Sequence, residues 1–476
     1  MRGITRVAAG IAGVFVAAWP LSALANVSLV RVSSDTYVNS TNQHHTEVEP
    51  DTHSFGSTEV AAFQMGRFTD GGASNIGYAV TTNNAATWSH GVLPGTTVFA
   101  HGPFARVSDP AVAYDPKHKV WLISSLALNS SVSGAAVLVS RSTNGGTTFR
   151  TPVKVTHPGS GLDKDWIGCD QTATSPHYGN CYTEWDDNGN VNLVYMSTST
   201  DGGLTWGTPK NTVDNFHGIG GQPVVQPSGT VVVPVANLNE TAIESFVSTN
   251  GGGSWTAPVV ISSAQDHAAG GSFRHGPLPS AVVDTGGTVY VVWESCTLET
   301  NCPNNDVLFS TSTTGVNWSA PAIVPINPRG SGIDHMIPGI GVDGATSGAT
   351  AHLGIVYYTE SATCTSGCAV SVGYISSTNG GTTWAHATQL AGPMKQTWLA
   401  DTTEGRMAGD YNSVSFLNGK GYPVVASAKL PTGSTFFESM FAPKAGLTAS
   451  AGSLTLIAGS SSGGGASSAG APATAR

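Results

Sequence analysis

The chain repeats one short polar string, and this repeat constrains the fold more than any other feature of the sequence. The clearest copies are STNGGTTF at residues 142–149, STDGGLTW at 199–206, STNGGGSW at 248–255 and STNGGTTW at 377–384. Two looser copies are TTNNAATW at residues 81–88 and STTGVNW at 312–318. A string that recurs along a chain in this way indicates successive copies of one structural unit.

Each copy of the string has the composition of a tight hairpin turn. The Asn or Asp side chain can accept hydrogen bonds from nearby backbone N–H groups, and the Gly pair can adopt positive φ. The aromatic residue that closes the string can pack beneath the turn. Extended apolar runs flank the copies, such as VNLVYMSTS before one and TAPVVIS after another. This pattern predicts strand, turn and strand in every unit.

Composition and charge agree with an all-β chain and exclude one class of partner. Of the 476 residues, 59 are glycine and only 11% are charged, which favours short strands and turns over helices. The net charge is −10, from 20 Lys and Arg against 30 Asp and Glu. Binding to phosphate backbones needs clustered cations. Because no basic stripe is visible, nucleic acid is excluded as a partner.

The two ends of the chain differ from its middle. Residues 1–25 combine Arg2 and Arg6 with a short apolar run and the sequence Ala-Leu-Ala, which predicts a secretory signal peptide rather than a membrane anchor. Residues 447–476 are rich in Gly, Ser and Ala and predict a flexible tail. One domain is expected at residues 26–446, in a monomeric protein without a membrane span. We expect it to be secreted, to the periplasm or outside the cell.

The cysteines predict disulfides and no metal site. The six residues form three close couples: Cys169 with Cys181, Cys296 with Cys302, and Cys364 with Cys368. In an exported protein such couples are typical of local disulfide bonds. No His or Cys completes a zinc-like ligand set at the usual spacing. We therefore expect no metal and no other cofactor.

A second element recurs between the hairpin strings, an apolar strand pair that begins with polar residues. Its copies begin at Glu47, Val107, Asp163, Gly220, Arg274, Asp334 and Met407. Each unit then has four strands, which predicts a β-propeller, with seven blades favoured and six as the alternative. The last unit lacks a fourth strand. Residues 26–34 are expected to supply it and to close the ring, which removes exposed sheet edges.

The hairpin string resembles the Asp-box, or bacterial neuraminidase repeat, of the sialidase superfamily. Through these copies, the main part of the chain is similar to a secreted bacterial sialidase-like protein. The resemblance implies a propeller fold and a glycosidase that acts on terminal sugars of glycans. In that superfamily the Asp-boxes lie away from the catalytic pocket and occur in proteins with unrelated activities. They therefore indicate the fold and not the reaction.

Polar residues at the ends of the inner strands are expected to gather at one face of the propeller. Glycoside hydrolysis normally uses two carboxyl groups in different protonation states. The candidate acids are Asp165, Glu184, Glu294 and Asp410. Trp185 is a candidate for stacking on a sugar ring, and His335 is a further candidate for contact with the substrate.

The sialidase resemblance adds a carboxylate clamp and a nucleophile. Arg67, Arg274 and Arg406 are the candidates for the three arginines that hold the substrate carboxylate in that family, because guanidinium groups bind carboxylates through two parallel hydrogen bonds. Tyr411, in the sequence GDYNS, resembles the position of the family's nucleophilic tyrosine.

Two positions depart from the family pattern and keep other functions open. Gln222 stands where the family has Glu, and Asn237 stands near the place of an Arg. The first alternative is a non-catalytic propeller that binds glycans or cell-surface proteins. A weaker alternative is a Ca²⁺ site among the acidic residues of the channel, for which no EF-hand-like loop is present.

Overall fold

The computed structural model of the protein describes residues 27–155 and 161–459. The signal peptide predicted at residues 1–25 lies outside the described residues. Within them the chain is almost wholly antiparallel β-structure, which confirms the all-β prediction. The helical segments are single 3₁₀ turns at Val98–Ala100, Asn188–Asn190, Gly348–Thr350 and Gln396–Trp398. In this part of the chain, no helix has both the length and the apolar character to span a membrane.

The strands form antiparallel groups that follow one another along the chain, and we number the groups in that order. Strand β1 (Leu29–Arg31) precedes group 1. Group 1 contains β2 (Glu47–Phe55), β3 (Thr58–Arg67), β4 (Ala73–Thr81) and β5 (Ser89–Val92). Group 2 contains β6 (Arg106–Asp115), β7 (Val120–Leu128), β8 (Gly134–Ser142) and β9 (Val153–Val155). Group 3 contains β10 (Leu162–Cys169), β11 (Cys181–Asp187) and β12 (Leu193–Ser199). A single pair, Ala73 with Val107, joins groups 1 and 2 at one edge.

The later groups repeat the same order of strands. Group 4 contains β13 (Gly218–Ile219), β14 (Val224–Val225), β15 (Val231–Asn237), β16 (Ala242–Ser248) and β17 (Val259–Ser263). Group 5 contains β18 (Ser280–Val283), β19 (Val289–Ser295), β20 (Asp306–Ser312) and β21 (Ala322–Ile323). Group 6 contains β22 (Ile333–Val342), β23 (Leu353–Ser361), β24 (Ala369–Ser377), β25 (Thr383–Trp384) and β26 (Thr388–Lys395). A short ribbon of β27 (Ala400–Thr402) and β28 (Gly405–Met407) follows.

The N-terminal strand completes the last group, as expected. Group 7 contains β29 (Val414–Leu417), β30 (Lys420–Pro423), β31 (Val425–Thr432) and β32 (Thr435–Pro443). Strand β1 pairs antiparallel with β32, with Leu29 opposite Pro443 and Arg31 opposite Phe441. Because only Val424 separates β30 from β31, these two count as one interrupted strand, and β1 is then the fourth strand of the group, from the opposite end of the chain.

Side chains link the first strands of successive groups. Each first strand contacts the next one, with β14 taking this place in group 4, and β29 contacts both β22 and β2. The Asp51 carboxylate accepts a hydrogen bond from the Val112 N–H at 2.7 Å, and the Ser413 hydroxyl accepts one from the Thr52 N–H at 2.6 Å. These bonds tie group 1 to group 2 and group 7 to group 1.

The repeated strings form the predicted tight turns, at the ends of β8, β12, β16 and β24. In residues 377–384, the Asn379 Oδ1 accepts a hydrogen bond from the Thr383 N–H at 2.9 Å, and the Ser377 hydroxyl accepts one from the Gly381 N–H at 3.0 Å. The indole N–H of Trp384 donates to the Gly381 carbonyl at 2.9 Å, beneath the turn. The corresponding Ser and Asn or Asp bonds recur at residues 142–149, 199–206 and 248–255.

The second glycine of the string has a role beyond the turn, because it lies against the preceding group. A Cβ atom added to Gly146 would come within 2.6 Å of Val60 Cγ2 in group 1. At Gly381 it would come within 2.6 Å of Phe309 Cζ in group 5. These close approaches leave no room for a larger side chain.

The structure confirms the predicted cysteine pairing, and it places short paired strands in the first part of the predicted tail. All three expected disulfides are formed. Three short strands follow residue 446: β33 (Leu447–Thr448) pairs with β30, β34 (Leu454–Thr455) with β25, and β35 (Ile457–Ala458) with β21. Residues 447–459 therefore cross groups 7, 6 and 5 in turn, and the boundary predicted at residue 447 is too early. The rest of the predicted tail lies outside the described residues.

Two neighbouring glycines offer a test of this packing. Gly145 and Gly146 have nearly the same φ, 77° and 80°, but a Cβ at Gly145 would meet nothing within 4 Å. We expect Gly145→Ala to cost about 1–2 kcal/mol, from the left-handed backbone alone. Gly146→Ala should cost about 1–3 kcal/mol more, because it also overpacks against Val60. Denaturant unfolding of both variants measures the difference, and equal losses would contradict the packing role.

Candidate active site

Four first strands carry a β-bulge at the same relative position. The pairing register shifts in β2, β6, β10 and β22. In each bulge one non-glycine residue has a left-handed backbone: Glu49 (φ 56°), Asp109 (48°), Lys164 (42°) and Ile337 (52°). Bulges redirect side chains and are frequent beside active sites. A left-handed backbone at such residues costs about 1–3 kcal/mol, so the surrounding structure must hold it in place.

The redirected side chains of Glu49, Asp109 and Lys164 meet in one ion-pair network, whereas Ile337 packs in the apolar core. The Lys164 ammonium contacts the Asp410 carboxylate directly and lies 3.4 Å from Asp109 Oδ1 and 3.8 Å from Glu49 Oε1. Arg274 donates from Nε to Asp410 Oδ1 at 2.7 Å and pairs with Glu404 Oε2 at 2.7 Å. Charged residues that are far apart in the sequence thus share one centre.

All members of this network except Asp410 line an open pocket of about 200 Å³. The charged lining residues are Glu49, Arg67, Asp70, Asp109, Asp163, Lys164, Arg274 and Glu404, and the apolar ones are Leu126, Leu128 and Val132. Arg67 is buried and donates from Nη1 to the Gly72 carbonyl at 2.6 Å. Two of the three predicted clamp arginines, Arg67 and Arg274, therefore reach the same pocket.

Two carboxyl groups of the network are in opposite protonation states. Burial raises the pKa of Glu49 to about 8, and the Asp109 carboxylate adds to this effect. Burial also acts to raise the pKa of Asp410, but Arg274 and Lys164 hold it well below its ordinary value. At neutral pH the Glu49 side chain is mainly a neutral acid and Asp410 is an anion. Acid-assisted catalysis by two carboxyl groups requires one protonated and one ionised group, and we call this combination a divided pair.

The other predicted acids do not line this pocket. Asp165 and Glu184 are almost fully buried, and burial raises the pKa of both well above the ordinary range. Glu294 is also buried and belongs to a separate cluster, where His275 Nδ1 lies 2.6 Å from its Oε1. Of the four predicted acids, Asp410 alone belongs to the ion-pair network, through its contacts with Lys164 and Arg274, although it does not itself line the pocket.

Tyr411 lies close to the network but does not have the surroundings of a nucleophile. Its hydroxyl donates to the Pro110 carbonyl at 3.1 Å, and its ring meets Trp166 edge to face at 4.8 Å. Burial, then the negative charges of Glu49 and Asp109, raises its pKa well above the ordinary value. The phenolate that the resemblance implies is therefore disfavoured.

The remaining candidates have their side chains outside the pocket. Arg406 donates to the Leu399 carbonyl at 3.1 Å and lies 3.5 Å from Asp401 on the β27–β28 ribbon. Trp185 is fully buried in the core cluster that joins groups 2 and 3, on the opposite side of β11 from Glu184. His335 is 1% exposed and lies between Asn305 and Asn327. The predicted substrate contacts of these three residues find no support in this arrangement.

The two residues that depart from the family pattern have structural partners. Gln222 Oε1 accepts a hydrogen bond from the Ala281 N–H at 3.1 Å and so ties group 4 to group 5. Asn237 Oδ1 accepts one from the Thr241 N–H at 2.8 Å and stabilises a turn. Each side chain therefore contributes to the framework.

Sequence reasoning missed Lys164 and Glu404 as members of the site. A signal for the network was present, because Glu49, Asp109 and Ile337 each precede a proline at the bulge. A residue before proline is restricted to extended backbone in most settings. The recurrence of a residue–proline pair at equivalent positions therefore indicates an unusual local geometry. Lys164 is followed by Asp165 and not by proline, so this signal does not identify Lys164.

Buried acids make the folded protein sensitive to rising pH. Burial raises the pKa of Glu47, Asp51, Glu294 and Glu360 to about 7 each. Each group binds its proton more tightly in the folded chain than in the unfolded one. Its contribution to stability is complete below the unfolded pKa and is lost as the pH rises through about 7.

We therefore expect the melting temperature to be higher at pH 5.5 than at pH 8.5, by about 5 °C or more. Scanning calorimetry across this range measures the change. Glu47→Gln should weaken the decline, because an amide cannot ionise and still accepts from the Met440 N–H, now at 3.0 Å from the carboxylate. A melting temperature that rises with pH would contradict the prediction.

Comparison with known proteins places the chain by its fold. No protein-family model matches it, and no curated protein sequence matches it. A polysaccharide lyase, the ulvan lyase of family PL25, is 11% identical with a TM-score of 0.50, over 89% of this chain and 97% of the lyase. The Hadza microbial sialidase Hz136 is 15% identical with a TM-score of 0.46, over 66% of this chain and 64% of the sialidase. An α-L-arabinofuranosidase from Fusarium graminearum is 12% identical with a TM-score of 0.44, over 71% of this chain and 92% of that enzyme. At these identities the likeness is one of fold.

Proposed function

We propose that the protein is a secreted glycoside hydrolase with a sialidase-like, seven-bladed β-propeller, and that it acts on terminal sugars of glycans. Each strand group corresponds to one blade in this proposal. The contacts of β29 with both β22 and β2 support a closed ring. Ala85, which occupies the place of the second glycine in the first string, packs against Leu417 and Tyr422 of group 7. The three disulfides are consistent with an exported protein.

The observation that carries the proposed reaction is the divided pair of carboxyl groups around Lys164. Glu49 holds a proton near neutral pH and can transfer it to the oxygen of the glycosidic bond that breaks. Asp410 stays ionised and can stabilise the positive charge that develops at the anomeric carbon. Both groups contact the same ammonium and therefore lie close to each other.

A second candidate function, glycan binding without cleavage, is favoured by one observation. Arg274 and Lys164 are already paired with protein carboxylates. A substrate carboxylate would have to displace Asp410 or Glu404 to reach these cations. Assays must for that reason include neutral sugars as well as sialosides.

The experiment is the hydrolysis of a panel of aryl glycosides, sialoside included, by the mature protein and its variants. We expect Glu49→Gln and Asp410→Asn each to lower kcat by about 100-fold or more, because each removes a group with a direct role in the transition state. Tyr411→Phe should lower kcat by less than about tenfold, because its hydroxyl bonds only a backbone carbonyl.

Asp401→Asn is the matched control, because this carboxylate is 54% exposed and lies outside the pocket, beside Arg406. Its activity should equal that of the wild type. A loss in Tyr411→Phe as large as that in Glu49→Gln would favour the tyrosine nucleophile of the sialidase resemblance. Absence of turnover with every member of the panel, together with binding on a glycan array, would favour the non-catalytic alternative.

A further inference from the structure

The pocket carries more acids than cations. Its lining contains three cations, Arg67, Lys164 and Arg274, and five acids, Glu49, Asp70, Asp109, Asp163 and Glu404. Asp410 adds a further negative charge through its contacts with two of these cations. Even with Glu49 neutral and Asp70 paired with Arg106, the negative charges outnumber the positive ones. An anionic ligand therefore needs a cation in the pocket whose charge the protein has not already used.

The protein itself engages Lys164 and Arg67. The Lys164 ammonium has three N–H donors, and three carboxyl groups of the network surround it. Arg67 is 3% exposed, and it donates from Nη1 to the Gly72 carbonyl at 2.6 Å and from Nε to Met407 Sδ at 3.2 Å. Arg274 is then the cation that decides whether the pocket accepts an anion.

Arg274 has two edges that can hold a carboxylate, and acids of the protein contact both. The edge formed by Nε and Nη2 binds Asp410, with Nε 2.7 Å from Oδ1. On the other edge, Nη1 lies 2.7 Å from Glu404 Oε2. The Asp410 side chain is 9% exposed and the Glu404 side chain is 44% exposed, so Glu404 is the acid that solvent and ligands can reach. Since guanidinium groups bind carboxylates through such edges, Glu404 occupies the place where the carboxylate of a sugar would bind.

The backbone holds Glu404 beside Arg274 independently of their ion pair. The Arg406 N–H donates to the Ser272 carbonyl at 2.7 Å, and the Arg274 N–H donates to the Arg406 carbonyl at 2.8 Å. These two bonds join the β27–β28 ribbon to the segment that carries Arg274. In the turn of the ribbon, the Glu404 N–H donates to Thr402 Oγ1 at 3.2 Å. A change of the Glu404 side chain therefore alters the charge of the pocket and leaves these backbone contacts in place.

The pocket also has an apolar wall, formed by Leu126, Leu128 and Val132. A sugar ring has C–H faces that pack against apolar side chains, as in most ligand pockets. Its hydroxyl groups can donate hydrogen bonds to ionised carboxylates, and such bonds are stronger than those between neutral groups. An apolar wall beside several acids therefore suits a sugar that carries hydroxyl groups and no anionic group.

We infer that Glu404 is a specificity-determining residue of this pocket: it excludes terminal sugars that carry a carboxylate or a sulfate and limits the substrates to sugars without an anionic group. The inference rests on the proposed function. A site discriminates in this way when it places a like charge against the unwanted ligand. Sialic acid and the uronic acids belong to the excluded class.

The test uses pairs of aryl glycosides that share one sugar ring and differ in charge, such as a nitrophenyl glucoside and the corresponding glucuronide. The ring is the one that the panel shows to be hydrolysed. The wild type should have the higher kcat/KM for the uncharged member. We expect Glu404→Gln to raise the ratio of kcat/KM for the anionic member to that for the uncharged one by about tenfold or more, because the amide removes the negative charge beside Arg274.

Asp401→Asn is the matched control. It removes one carboxylate from the same ribbon, where the Asp401 side chain is 54% exposed beside Arg406. Because exposed charges outside the pocket are screened by salt, the ratio should stay within about twofold of the wild-type value. An equal rise of the ratio in both variants would mean that overall charge, and not the position of Glu404, controls the selection, and would overturn the inference.

Calorimetric titration with free glucuronate and with free N-acetylneuraminate tests the exclusion without turnover. Binding should be measurable in Glu404→Gln and undetectable in the wild type and in Asp401→Asn. An active wild type that prefers the anionic glycosides, or a ratio unchanged in Glu404→Gln, would overturn the inference and leave the proposed function standing. A wild type inactive on the whole panel would overturn the proposed function. In that case a gain of binding in Glu404→Gln would still support the exclusion of anions by Glu404, and no gain would overturn it.

Discussion

The close approach of each hairpin string to the preceding strand group sets the geometry of the whole structure. In five of the six strings a glycine meets a side chain of the group before it: Gly146 meets Val60, Gly203 meets Leu122, Gly252 meets Thr198, Gly315 meets Val232, and Gly381 meets Phe309. The string at residues 81–88 has Ala85 in this place. A residue without a side chain lets two sheets come together at a fixed distance. This repeated spacing fixes where each first strand lies.

The buried acids at the centre of the protein differ in whether a cation neutralises them. Lys164 and Arg274 neutralise Asp410, so that this acid stays ionised although it is buried. Asp165 and Glu184 lie nearby without a cation that contacts them in the part of the chain that the structure describes, and burial raises the pKa of both well above the ordinary value. The interior therefore contains neutral acids beside an anion. This difference in protonation, rather than the number of acids, distinguishes the candidate site from its surroundings.

Local sequence pattern predicted the framework well, because turns and strands depend mainly on nearby residues. The hairpin strings, the succession of strand groups, the disulfides and the N-terminal strand of group 7 all have such local signals. The site was predicted less well, for two physical reasons. A bulge in β10 shifts the alternation of side chains, so that Lys164 and not Asp165 enters the pocket. In addition, Tyr411 and Trp185 have the residue types of catalytic and stacking groups, but burial by distant segments decides what they can do.

The pairing of β1 with β32 joins two segments that lie more than 400 positions apart in the chain. Such a contact cannot form until synthesis is almost finished, and the entropy lost in bringing the two segments together must be offset in one late step. Until then β1, which is made first, remains without its partner strand. An incomplete chain thus has an unpaired N-terminal strand. Once β32 has been made, its pairing with β1 covers an edge of the last sheet that would otherwise be open to other strands.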